Sequence, residues 1–228
     1  MRLLGAVLAG GRSRRFGCDK AMELVAGVPM LHRAVHVLTA VAQEVVVISC
    51  NETEVPQGIR VLPDVRPGLG PMGGLHTALL EAEACNSHAV LLLACDLPLV
   101  SERVIAAIAT QAEASIASLA ESSSAPFAGA SLTPAAERPI APLGEGSLAV
   151  APTRDGGVEP LCAVYGLGAL PVLVELLDGP DLSLHSLFRA LNGRALDLAS
   201  LGLETDASFL NVNTPEELLR ARSYPGPE

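Results

Sequence analysis

The chain has 228 residues, a formal net charge of -10 and a hydrophobic content of 50%, with 3% aromatic residues and no tryptophan. That acidity excludes a broad nucleic-acid surface or an anionic membrane face, both of which need a basic patch. The core has to be built from Leu, Val, Ile and Ala, which suits a parallel sheet covered by helices. Five cysteines (Cys18, Cys50, Cys85, Cys95 and Cys162), odd in number and without CxxC spacing, exclude zinc fingers and disulfide scaffolds. No stretch reaches the roughly 18 apolar residues of a membrane span, and the run Leu3–Ala9 lacks the length and flanks of a secretory signal. A reduced, cytoplasmic protein is expected, with neither nucleic acid nor membrane as partner.

Leu3–Ala9, short and apolar, predicts a buried strand, followed by the turn "GGRSRRFGCDK". Met30, Leu31, Ala34, Val37, Leu38 and Val41 recur at helical spacing. "EVVVIS" (Glu44–Ser49) and "GIRVLPD" (Gly58–Asp64) predict two further strands, the second running into the loop "RPGLGPMGG". A helix over Leu75–Ala84, the strand "AVLLLACD" (Ala89–Asp96) and a helix capped by Ser101 complete the first half. From about Ser115 to Gly146 the chain is Ala, Ser, Pro and Gly with few large apolar residues, so a flexible insertion is expected there. "SLAVAPTRDGGVEPLCAVY" predicts two short strands about Asp155-Gly156-Gly157. Helices at Gly168–Leu177 and Ser183–Leu191 follow, then a strand at Phe209–Asn213. The last helix has Thr214 as N-cap, Pro215 at its first position and Glu217 closing a capping box. The alternation predicts one α/β domain over residues 1–228, with functional loops at the carboxyl ends of the strands.

The loop after the first strand carries the densest positive charge. Arg12, Arg14, Arg15 and Lys20 sit in nine residues, against 15 Lys and Arg in the whole chain. The spacing fits neither a Walker A loop nor a dinucleotide fingerprint, which argues against an oxidoreductase. The physics is similar all the same: glycine backbone N–H groups and cations suit a polyphosphate. A merely solvated basic turn is the bland alternative. Asp96 ends a strongly apolar strand before Leu97-Pro98. It fits either magnesium beside a nucleotide phosphate or a simple turn cap. His32 and His36 share a helical face without an evident third ligand, and Cys18 lacks a His or Asn partner for nucleophilic catalysis.

"LAGGRSRRFGCDKA", "VVVISCN", "VLPDVRPGLGPMGGLHTAL", "LLLACDLPLV", "VEPLCAVY" and "FLNVNTPEEL" occur in that order. Together they resemble the blocks of the molybdenum cofactor guanylyltransferase family, over nearly the whole chain except about 115–146. The resemblance implies a Rossmann-like nucleotidyltransferase fold with a mostly parallel sheet. It implies transfer of GMP from GTP to molybdopterin, with release of pyrophosphate and magnesium as cofactor. Carried over by motif, Arg15, Lys20 and Asp96 would be catalytic. Leu8, Ala9, Gly10, Gly11, Lys20, Asn51, Asp64, Gly73 and Asp96 would bind the nucleotide, and Asp96 the metal. A molybdoenzyme or another cofactor-biosynthesis protein would be a candidate partner. Relatives that use CTP or another phosphorylated acceptor remain open, as does a silent nucleotide-binding regulator.

Overall fold

The computed structural model describes residues 1–10, 20–50, 53–122, 147–154, 156–203 and 207–224. In chain order these form β1 (Leu3–Leu8), β2 (Leu24–Val25), β3 (Val28–Pro29), α1 (Met30–Thr39), β4 (Glu44–Ile48), β5 (Arg60–Leu62), α2 (Gly70–Ala84) and β6 (Ala89–Ala94). Then come α3 (Glu102–Ser122), β7 (Ala149–Arg154), β8 (Gly157–Val158), β9 (Cys162–Gly166), α4 (Leu170–Leu177), α5 (Leu184–Ala190), β10 (Arg194–Leu196) and α6 (Pro215–Ser223).

An eight-stranded sheet runs β10-β7-β9-β6-β1-β4-β5, with β8 paired to β7. Strands β6, β1, β4 and β5 are mutually parallel, whereas β9 is antiparallel to both β6 and β7. The unbroken apolar runs of β1 and β6 follow from their central places, since every residue of both is buried. The strand period divides their side chains between two cores. Leu3, Val7, Leu91 and Leu93 meet Leu31, Leu38, Ile105 and Ile108 of α1 and α3. Leu4, Leu8, Val90 and Leu92 meet Met72, Leu75, Leu79 and Leu173 of α2 and α4. A third cluster joins α6 to the β2–β3 hairpin through Val25, Met30, Leu99, Val212, Leu218 and Ala221. The expected mostly parallel α/β sheet flanked by helices is what the chain forms. No helix among the described residues is long and apolar enough to cross a membrane.

Several boundaries differ from expectation. Helix α3 continues to Ser122, so the start of the stretch expected as an insertion is helical. Alanine is the strongest helix former, and a composition poor in large apolar residues hid that. Val104, Ile105, Ile108, Ala112 and Ser115 form the buried stripe, and the Ser115 hydroxyl accepts a hydrogen bond from the Ser147 N–H at 3.0 Å. The expectation for 123–146 lies outside the described residues. Helix α2 begins at Gly70 rather than Leu75, so "GPMGG" is its first turn, reached through Gly68 and Gly70 at φ 89° and 59°. Phe209–Asn213 pairs with no strand; Phe209 and Val212 are buried, but the segment packs as an irregular strap. The β2–β3 hairpin and β10, both very short, carried no pattern long enough to predict.

Candidate active site

The carboxyl edge of the sheet gathers the site. The Cys95 N–H donates to the Leu8 carbonyl at 3.1 Å and the Ala9 N–H to the Ile48 carbonyl at 3.0 Å. The Ser49 N–H donates to the Leu62 carbonyl at 3.0 Å, so β6, β1, β4 and β5 finish in one row. Gly10 leaves β1 at this edge, where a Cβ on it would meet nothing within 4 Å. Lys20 re-enters as the start of a single 3-10 turn, Lys20–Met22, and its side chain reaches back to the end of β6.

There the Lys20 ammonium lies 3.3 Å from Asp96 Oδ2 and donates at 2.8 Å to Asn213 Oδ1. The second oxygen, Asp96 Oδ1, is buried without a hydrogen-bond partner among the described residues. A desolvated carboxylate oxygen in that state is costly, and a cation would satisfy it. Among the described residues no group of three or more His, Cys, Asp or Glu side chains could hold a metal ion. Asp96 therefore fits magnesium in the manner of a site where one carboxylate works together with substrate phosphates and water. Asp96 is also tied through its backbone, whose carbonyl accepts the Val212 N–H at 2.9 Å. The turn-cap alternative for this residue leaves Oδ1 unexplained.

A second cluster forms at the far end of the row, beyond β5. Asp64 Oδ1 is likewise buried without a partner, while Oδ2 accepts from the Cys50 thiol at 3.8 Å. Burial raises the Asp64 pKa above the ordinary carboxylate value, and the Cys50 bond partly opposes that. The Cys50 thiol is itself pushed up, by burial and by the neighbouring Asp64 charge. Helix α2 closes over this carboxylate because it carries glycine at its contact face. A Cβ on Gly74 would lie 2.7 Å from Leu8 Cδ2 and 3.7 Å from Asp64 Oδ1, and one on Gly73 would lie 2.9 Å from the Arg66 carbonyl oxygen. The Thr77 hydroxyl fixes the loop by accepting the Val65 N–H at 2.9 Å.

The two clusters follow the ends of β6 and β5, with β1 and β4 between them in the sheet, and Gly10 leaves β1 in that interval. Leu8, Ala9, Gly10, Lys20, Asp64, Gly73 and Asp96 thus share one edge, Lys20 and Asp96 at one pole and Asp64 with Gly73 at the other. Gly11, Arg15 and Asn51, with Arg12, Arg14 and Cys18, lie outside the described residues. His32 and His36 lie on α1 and bond to the Glu54 carbonyl and to Glu102, not to either cluster. Sequence reasoning missed Asn213. Its signal is the N-x-N pattern directly before the N-cap Thr214.

The family model of the MobA-like NTP transferase domain matches residues 5–197. Among curated relatives, a probable molybdenum cofactor guanylyltransferase of Pelotomaculum thermopropionicum is 29% identical, covering 97% of this chain and 93% of its own. One of Bacillus licheniformis, with the same description, is 30% identical, covering 96% and 95%. Among solved structures, molybdopterin-guanine dinucleotide biosynthesis protein A from Archaeoglobus fulgidus superposes with a TM-score of 0.65 at 21% identity, covering 96% of each chain. The 2-C-methyl-D-erythritol 4-phosphate cytidylyltransferase of Thermus thermophilus superposes at 0.59 with 16% identity, covering 98% of each. The latter two likenesses speak for the fold, and the family model covers the sheet edge from Leu8 to Asp96: the chain belongs to the MobA-like NTP transferase family, a family of nucleotidyltransferases.

Proposed function

We propose that the chain transfers GMP from GTP to the terminal phosphate of molybdopterin and releases pyrophosphate. The observation that carries the reading is the Lys20–Asp96 pair at the end of β6, with one buried carboxylate oxygen that has no hydrogen-bond partner among the described residues. The curated relatives bear the corresponding name over nearly their full length.

In this reading Lys20 binds the triphosphate and stabilises charge as it develops on the leaving pyrophosphate. Arg15, from the same loop, serves the α-phosphate. Asp96 holds magnesium, which when bound would neutralise phosphate charge; Asp96 Oδ1 is the oxygen left for it. The acceptor phosphate monoester is already largely dianionic at neutral pH, its second pKa being about 6, so it attacks without a general base. Catalysis is then positioning and electrostatics.

At the other pole, Asp64 would accept from the N1–H and 2-amino groups of guanine, a donor pair that cytosine and adenine do not present. Its buried, unpartnered Oδ1 supports that role, since two donors would relieve the desolvation that raises its pKa. Asn51 is the other candidate for those guanine donors, Leu8, Ala9, Gly10 and Gly11 would line the bound nucleotide, and Gly73 would keep α2 close to the base. The free thiols Cys50, Cys85 and Cys162 suit a reducing cytoplasm.

The test is pyrophosphate release with GTP, CTP and ATP in magnesium, with and without molybdopterin. Release only with GTP and only with molybdopterin is expected. Preference for CTP would move the chain to a cytidylyl branch. Binding without release would make it a nucleotide-binding regulator.

A further inference from the structure

The capping box of Thr214 and Glu217 starts the last helix, α6. We infer that it is part of the transfer machinery, with Glu217 acting as a positioning residue for Lys20 through Asn213. The inference rests on the reading of Lys20 as the triphosphate cation.

The chain of contacts is short. Glu217 Oε2 accepts from two consecutive backbone N–H groups, Asn213 at 2.6 Å and Thr214 at 2.9 Å. A capping box alone needs only the second of these. The additional bond fixes the peptide of Asn213, an exposed residue whose side chain is nevertheless held at both ends. Its Oδ1 accepts from the Lys20 ammonium at 2.8 Å, and its Nδ2 donates to Asn211 Oδ1 at 2.6 Å. One residue earlier, the Val212 N–H donates to the Asp96 carbonyl at 2.9 Å. The strap before α6 therefore touches both members of the ion pair, one by side chain and one by backbone.

This matters because Lys20 needs an outside reference. Lysine is a flexible four-carbon stem ending in a point charge, and losing its rotamers has an entropic cost. Opposite Asp96 alone, it could sit anywhere around that carboxylate. Asn213 supplies a second, neutral acceptor that fixes where the ammonium stands, and it stays in place when a phosphate replaces Asp96 as the counter-charge. Helix α6 holds the strap because Leu218 and Ala221 pack with Val25, Met30 and Val212 in the third apolar cluster. Arg222 also donates to the Leu24 carbonyl at 2.8 Å.

The two halves of the capping box allow a clean test. Thr214→Ala removes the bond from the Glu217 N–H to Thr214 Oγ1 (3.2 Å) but leaves Glu217 on Asn213. Glu217→Ala removes the bonds to Asn213 and Thr214. Both variants should lower Tm by a similar amount, about 2–4 °C. Only Glu217→Ala should raise the KM for GTP and lower kcat/KM, by about 10-fold. Glu217→Gln keeps an accepting oxygen and should restore most of the loss. Equal kcat/KM for Thr214→Ala and Glu217→Ala would overturn the inference. If Glu217→Ala does not fold, Asn213→Ala, which leaves the capping box whole, decides it. A loss of similar size supports the role, and unchanged kinetics removes it. Lys20→Ala separates this inference from the reading beneath it. If that variant binds GTP as tightly as the parent, Lys20 is not the triphosphate cation and both fall. If Lys20→Ala is defective while the Glu217 and Asn213 variants are not, only the positioning role falls.

Discussion

The Lys20 ammonium stands 3.3 Å from Asp96 Oδ2, with the two side chains only 13% and 19% exposed, so before substrate arrives the two groups proposed to act on the triphosphate neutralise one another. A partly desolvated pair of this kind is broken at a cost unless each member gains a new partner. Metal and triphosphate together supply both partners, whereas metal alone supplies one and has to compete with Lys20. Lys20→Met should therefore strengthen the binding of magnesium alone, severalfold, while weakening that of the magnesium–GTP complex by about 10-fold or more. Calorimetric titration of each ligand into each protein measures both. Metal affinity that fails to rise would show that Lys20 does not compete for the carboxylate.

Asp96→Asn tests the other member. The amide keeps the size and the backbone bond to Val212 but loses the charge that attracts magnesium. Turnover should fall by at least about 100-fold, or about 2.7 kcal/mol, the lower end for losing a key electrostatic contact. Thermal unfolding should change little, because the amide oxygen and Asn213 Oδ1 still accept from the Lys20 ammonium and the desolvated carboxylate charge is gone. A stable, fully active Asp96→Asn protein would remove Asp96 from the site.

The central strands, the carboxyl-edge placement of Asp96 and the capping box of α6 were legible in the sequence. Long apolar runs and capping residues act locally, so their pattern survives without tertiary context. What escaped was set by contacts distant in the chain. The Lys20–Asn213 bond spans 193 positions, and the strap at 209–213 has the alternation of a strand but finds no strand beside it. Asp64 was legible only as a turn residue or as a match to a family block. Its Oδ1, without a partner among the described residues, lies under the approach of α2, which depends on Gly73 lacking a side chain.

Asp64 should trade stability for recognition. Its pKa is raised in the folded protein, so the fold favours the protonated acid. That stabilisation is fully present below the ordinary value of about 3.9 and is lost as pH rises through the raised value. At neutral pH the carboxylate is then a burden on the free protein, and Asp64→Asn should raise Tm at pH 7 while leaving acid stability nearly unchanged. The same change replaces an acceptor by a mixed donor and acceptor, so the preference for GTP over CTP should shrink. A lower Tm at pH 7, or undiminished discrimination, would count against this assignment.

His76 predicts an acid limit. The residue is 7% exposed on α2, with Nδ1 unpartnered among the described residues. Its pKa is lowered by burial first and by the charge of Arg66 second. The unfolded chain therefore takes up a proton before the folded one does. Stability should fall as pH drops below about 6.5, until the lowered folded value is passed. His76→Leu should flatten the dependence of Tm on pH between 7.5 and 5. An unchanged slope would assign the acid sensitivity to other groups.

Gly73 and Gly74 should respond differently to the same added methyl group. Alanine gains about 1 kcal/mol over glycine inside a helix, and both positions lie in α2. At Gly74 the new Cβ meets the tip of the Leu8 side chain, which can turn aside, so Gly74→Ala should be close to neutral in Tm. At Gly73 the obstacle is the Arg66 carbonyl oxygen, 2.9 Å away and part of the backbone that carries Asp64 two residues earlier. Forcing that loop outward costs about 1–3 kcal/mol, more than the helix gain. Gly73→Ala should lower Tm and also the affinity for GTP, because the displaced loop moves the carboxylate proposed to read the base. Thermal unfolding beside calorimetric GTP binding distinguishes the pair. If both variants bind GTP like the parent, the close approach of α2 serves packing and not the nucleotide.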